Sequence, residues 1–119
     1  MQDVAEKKID RLSNMQCCHL TSDNRAFNSE QINNHAKQLN PRWHVNNDNS
    51  ISHTFHFKNY YQTIAFVNIL AQIAHQQDHH PELEVSYNRC TVTYSTHSVA
   101  GLSLNDFICA AKINNAQQL

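Results

Sequence analysis

Apolar positions along the chain change their spacing several times, and each change marks an element. From Ser29 to Leu39, the residues Ile32, Ala36 and Leu39 fall at i, i+4 and i+7, one face of a short helix that Ser29 can cap. Asn40-Pro41 closes it. Trp43 and Val45 then alternate with polar residues, Asn47-Asp48-Asn49 supplies turn chemistry, and Ile51, His53, Phe55 and Phe57 alternate again, which predicts a β-hairpin. Asn59 can cap the longest helix, running to about Gln77. Its stripe of Tyr60, Ile64, Val67, Ala71 and Ala74 is widened by Phe66, Leu70 and Ile73 beyond the usual amphipathic arc. So broad an apolar surface predicts a contact beyond the chain's own sheet, hence an oligomer. Leu83, Val85 and Tyr87 alternate next, Asn88-Arg89 can turn the chain, and Cys90, Val92 and Tyr94 complete a second hairpin. Ser103-Leu104-Asn105-Asp106 has the form of a capping box for a last helix carrying Leu104, Phe107, Ile108 and Ala111.

The predicted order is α-β-β-α-β-β-α. It gives an α+β domain, a four-stranded antiparallel sheet with its helices packed on one face. Residues 1–25 are polar and weakly patterned and read as a flexible or partly ordered N-terminal arm, leaving 26–119 as a single domain. Gly101 is the one glycine in the chain, so its position is expected to need a backbone conformation or a close approach that a side chain would block.

Composition narrows the function. The formal net charge is −1 and the Lys and Arg residues are scattered, which argues against direct nucleic-acid binding through a basic face. Apolar runs fall short of a bilayer span, and the opening residues lack the apolar core of a signal peptide, so a soluble cytoplasmic protein is expected. Cys17 and Cys18 are adjacent and poorly placed to bridge each other, while Cys90 and Cys109 sit in strand and helix patterns, so no disulfide framework is implied.

The chemistry gathers at Asp78-His79-His80-Pro81-Glu82. Imidazole is the side chain that exchanges a proton near neutral pH. Pro81 biases His80 away from the α region, so His79 is expected in the last helical turn and His80 in the extended chain after it. His97 follows beyond the second hairpin, while His53 and His56 read as structural or solvated. His75 and His79, at i and i+4, could also face one metal ion with His80 or His97 completing the set, but the Glu-assisted helix motif is absent. Cys17-Cys18-His19 lacks the C-x₂-C spacing of metal sites.

Written out, the set is His75, three residues, His79-His80-Pro81, five residues, Tyr87, nine residues, His97, eight residues, Asp106. It resembles the signature of the pterin-4a-carbinolamine dehydratases. Phe57-Lys58-Asn59-Tyr60, Ala65-Phe66, Tyr87-Asn88, Thr96-His97, Gly101-Leu102-Ser103 and Asp106-Phe107 extend the resemblance from about Ser29 to Ile113. His75 departs from it, standing where an acidic residue is common, and Ala100 takes a place where a second glycine is frequent.

The resemblance implies dehydration of 4a-hydroxytetrahydropterin to quinonoid dihydropterin and water, which recycles the pterin cofactor of aromatic amino acid hydroxylases. It implies no cofactor or metal in the protein itself, and a homodimer or homotetramer. His79 and His97 would be the acid–base pair, and His80 would hold the pterin and share the base role. Asp106 and His75 would support them, with Pro81, Thr96, Ser98 and Val99 lining the pterin pocket. Some animal members also act as coactivators, so a non-catalytic interaction module on the same fold is one competing reading. A histidine-based metal-binding protein is the other.

Overall fold

The first helix is capped by Asn28, one residue before the Ser29 that the spacing predicts. In the computed structural model, which describes residues 12–117, the Asn28 side chain accepts from Gln31 N and the Gln31 side chain accepts from Asn28 N, a reciprocal capping box that starts α1 (Ser29–Ala36). β1 (His44–Val45) and β2 (Ile51–His56) form the first hairpin. Asn59 caps α2 (Tyr60–Gln77) as expected, β3 (Glu82–Ser86) and β4 (Arg89–Tyr94) form the second hairpin, and α3 (Leu104–Gln117) closes the chain. No described helix is long and apolar enough to cross a membrane.

The four strands are antiparallel in the order β1-β2-β4-β3, so the two hairpins join through β2 and β4. Ile51, His53 and Phe55 pair with Tyr94, Val92 and Cys90, and all six are buried on the face covered by the helices. Period-two alternation puts Ser52, Thr54, Thr91 and Thr93 on the other face, where the Thr54 and Thr91 hydroxyls meet at 2.9 Å. Phe66 and Leu70 of α2 and Phe107, Ile108, Ala111 and Ile113 of α3 fill the core beneath. The α+β order predicted from the pattern is the order observed.

The ending of α2 corrects one expectation. Asp78, not Pro81, stops the helix: its backbone is left-handed (φ 52°), its N–H turns back to Ala74 O and His75 O, and His79 N donates to Ala74 O at 3.1 Å. This Schellman-type turn satisfies the last carbonyls and sets His79 just beyond the helix rather than in its final turn.

Gly101 meets the close-approach half of its expectation. Its φ is not positive, but a Cβ there would lie 2.9 Å from Ala26 Cβ. The left-handed position belongs to its neighbour Ala100 (φ 54°), which ends the 3₁₀ turn His97–Val99. Thr96 and Gly101 then bond to each other, Thr96 N to Gly101 O at 2.7 Å, and this pinches off the loop that carries His97.

Of the N-terminal arm, residues 1–11 lie outside the described residues. Its later part is tied to the domain. Leu12 is buried, Lys112 Nζ donates to Ser13 O at 2.7 Å, and Cys17 N donates to Gln77 Oε1 at 2.8 Å. The Asn105 side chain accepts from Cys18 N and donates to Cys18 O.

Candidate active site

Three chain segments meet at Asp106, which solvent does not reach. An ionised carboxylate buried this way needs its lone pairs filled by donors. His79 Nε2 lies 2.6 Å from Oδ1, while the Thr96 hydroxyl and Ser103 N–H each donate to Oδ2 at 2.9 Å. Because Thr96 commits its one proton to the carboxylate, the 2.6 Å contact between Ser103 Oγ and Thr96 Oγ1 must have Ser103 donating. The capping box read from sequence is thus half present: Asp106 accepts from Ser103 N–H, but the Ser103 hydroxyl turns to Thr96.

With the carboxylate accepting, His79 carries its proton on Nε2. Nδ1, which makes no hydrogen bond among the described residues, is left to exchange protons with a ligand. The ring is also clamped from the side. Tyr94 stacks on it with centroids 5.1 Å apart and an interplanar angle of 28°, and the Tyr94 hydroxyl donates to His79 O at 3.3 Å. Burial pushes the Tyr94 phenol well above its ordinary pKa, so it remains a donor.

His79, Thr96 and Ser98 line a cavity of about 340 Å³ together with Cys17, Cys18, His19 and Leu20 of the arm, Gln76, Gln77 and Asp78 from the end of α2, and Asn105. The size falls within the range of small-molecule pockets. His80, Pro81, His97 and Val99 are not among the residues lining it, and the His80 and His97 side chains are exposed. His75 is exposed in the last turn of α2. Among the described residues, no three His, Cys, Asp or Glu side chains are grouped as ion ligands. Of the proposed set, the structure brings His79, Asp106, Thr96 and Ser98 together, while His75, His80 and His97 are exposed and outside the cavity lining.

Sequence reasoning did not find the arm's share of this cavity, nor the roles of Tyr94, Ser103 and Asn105. Ser103 and Asn105 precede Asp106 at the helix start, a signal readable only as capping chemistry. The arm carried no periodicity to announce that it docks.

Comparison with known sequences then decides the family. A profile described as Pterin 4 alpha carbinolamine dehydratase matches residues 25–116. The chain belongs to this family. A Legionella pneumophila protein, provisionally named a pterin-4-alpha-carbinolamine dehydratase, is 52% identical over 104 residues, which cover 87% of this chain and 92% of the relative. A Nitrosomonas eutropha protein with the same provisional name is 58% identical over 85 residues, covering 71% of this chain and 74% of its own. Among solved structures, a transcriptional coactivator/pterin dehydratase from Brucella melitensis superposes with a TM-score of 0.72 at 33% identity, over 77% of this chain and 97% of that one. The family match spans His79, Thr96 and Asp106, so the carboxylate-bound histidine lies within the region shared with these dehydratases.

Proposed function

We propose that this protein removes water from 4a-hydroxytetrahydropterin to give quinonoid dihydropterin, by proton transfer through histidine side chains. The observation that carries this reading is the fixed His79 ring, held by a fully satisfied buried carboxylate at the wall of a cavity of suitable size. Loss of water from a carbinolamine requires one proton delivered to the departing hydroxyl and one removed from the ring nitrogen that becomes an imine. A positioned imidazole does either, and such transfer contributes about 10²–10⁴-fold.

His79 has Nδ1 for one of these transfers, and His97 is its assigned partner. His80, next in the chain after His79, is assigned to hold the pterin and share the base role. Asp106 and Thr96 fix the tautomer and orientation of His79, His75 stands in support, and Ser98, Pro81 and Val99 shape the pocket. The protein is expected to act in the cytoplasm as a homodimer or homotetramer, recycling the pterin of an aromatic amino acid hydroxylase. Apolar side chains left exposed on α2 (Tyr60, Tyr61, Ile69) and along the β3 hairpin (Leu83, Val85, Tyr87) support self-association.

The test is stopped-flow dehydration of chemically generated 4a-hydroxytetrahydropterin between about pH 5 and 9, a range that brackets imidazole titration. A bell or sigmoid near neutrality is expected. A flat profile at the uncatalysed rate, or a near-normal rate after His79→Ala combined with His97→Ala, would overturn the assignment.

A further inference from the structure

Two thiols from opposite ends of the chain meet beside the cavity. Cys17 Sγ and Cys109 Sγ are 3.6 Å apart across a sequence separation of 92 residues, and both are free. Cys109 is fully buried on α3, whereas Cys17 is half-buried and lines the cavity. Their proximity is held by the packing of the arm: Cys17 N on Gln77, the two-way bonding of Cys18 to Asn105, and Lys112 Nζ on Ser13 O. The Cys17 thiol is also within 3.6 Å of Asn105 O. Closing the gap to a bond length of about 2.05 Å requires the sulfurs to approach by about 1.5 Å.

We propose that Cys17 and Cys109 form a redox-responsive thiol pair that closes to an intramolecular disulfide when the protein meets a peroxide. The environment suits such a step. The contact with Cys17 pulls the Cys109 thiol below its ordinary pKa, and the same contact pushes Cys17 above its own, so the two share one proton more readily than two isolated thiols would. Burial opposes ionisation of both sulfurs and Asp106 that of Cys109, while Lys112 favours the anion on both and His79 that on Cys17.

The thiolate rests on Cys109, and transfer of the Cys17 proton to it, against that resting preference, brings the negative charge to the sulfur at which the cavity opens. The Cys17 thiolate attacks one peroxide oxygen, the O–O bond breaks, and the departing hydroxide takes up a proton to leave as water. Cys17 is then a sulfenic acid. The Cys109 thiolate attacks that sulfur, the S–S bond forms, the S–O bond breaks, and the hydroxide leaves with a second proton as water. The two thiols lose two electrons and two protons, and the peroxide is reduced to two waters. The product fixes the arm to α3 at the cavity wall.

The test uses the full-length chain with Cys18→Ser, which removes the exposed neighbour. Protein is treated with hydrogen peroxide at neutral pH, alkylated, and mapped by peptide fragmentation so that Cys109 is told apart from Cys90. The expected product is a monomeric chain lighter by two hydrogens with Cys17 bridged to Cys109, restored by dithiothreitol. Its unfolding midpoint is raised by roughly 5 °C or more, because a long loop is closed in the unfolded chain. A second substitution, Cys17→Ser, abolishes both the bridge and the rise in midpoint. Retention of free thiols at Cys17 and Cys109 after peroxide, oxidation of Cys17 to sulfinic acid without a bridge, or a bridge to Cys90 or to another chain would each overturn the proposal.

Discussion

His79 and Asp106 lie 27 residues apart in the chain and meet at 2.6 Å, ring Nε2 against a carboxylate with no solvent exposure. The other carboxylate oxygen is held by Thr96 and by Ser103 N–H, so Asp106 cannot rotate without giving up two donors. The geometry therefore determines which nitrogen of His79 is left for chemistry.

Asp106→Asn tests that dependence. If the new amide oxygen faces Ser103 N–H, its NH₂ faces His79 and forces the ring proton onto Nδ1. If it turns the other way, NH₂ meets Ser103 N–H, donor against donor. The first arrangement is expected to lower kcat by about 10²-fold or more, and the second to cost about 1–3 kcal/mol of stability. Stopped-flow rates and ¹⁵N NMR of the imidazole tautomer check the two effects separately. Unchanged kcat with a switched tautomer would show that Nδ1 is not the working atom.

Asn105→Ala should free the arm. The side chain satisfies both Cys18 N and Cys18 O, so truncation leaves two backbone groups without their partner. A loss of about 1–3 kcal/mol is expected, with faster amide hydrogen exchange at Cys17 and Cys18 than in the parent. Unaltered exchange there would mean that Lys112 and Gln77 hold the arm by themselves.

His53 predicts a pH dependence of stability. It is buried between Trp43 and Phe55, its Nδ1 has no partner among the described residues, and its pKa is pushed down to about 4, first by burial and then by Arg42, His44 and His56. A folded pKa below the unfolded value of 6.5 means that the unfolded chain binds more protons between those limits, so stability falls as pH drops from about 6.5 towards 4. Between about pH 7 and 5 the parent should lose on the order of 1–2 kcal/mol more than His53→Leu in urea titrations. Parallel losses in the two proteins would refute the assignment to His53.

The adjacent pair Ala100 and Gly101 should respond in opposite directions. Ala100 is left-handed, a conformation glycine adopts freely, so Ala100→Gly is expected to raise stability by up to about 1 kcal/mol. Gly101→Ala drives a Cβ to 2.9 Å from Ala26 Cβ and should cost about 1–3 kcal/mol. Thermal unfolding of both variants checks the pair, and a more stable Gly101→Ala would show that the Ala26 segment gives way.

The sequence by itself determined the elements and their order, because helical and strand periodicities are local. Ile51, His53 and Phe55 must share a face whatever packs on it, and Asn59 caps α2 from its own turn. It also supplied His79, Thr96 and Asp106 as candidates, through the resemblance to a family signature. Fine boundaries escaped it where neighbouring residues compete for one role: Asn28 takes the cap that Ser29 offered, and Asp78 stops α2 before Pro81 is reached.

Only the tertiary structure decided the contacts. That Asp106 accepts from His79, that Tyr94 stacks on the ring, that Cys17 lands on Cys109 and that Gly101 lies against Ala26 are all matters of distance between segments far apart in the chain. Such meetings follow from how the helices close over the sheet and how the arm docks on α2 and α3. No period in the chain records them, because burial of the shared core sets them and no local backbone preference does.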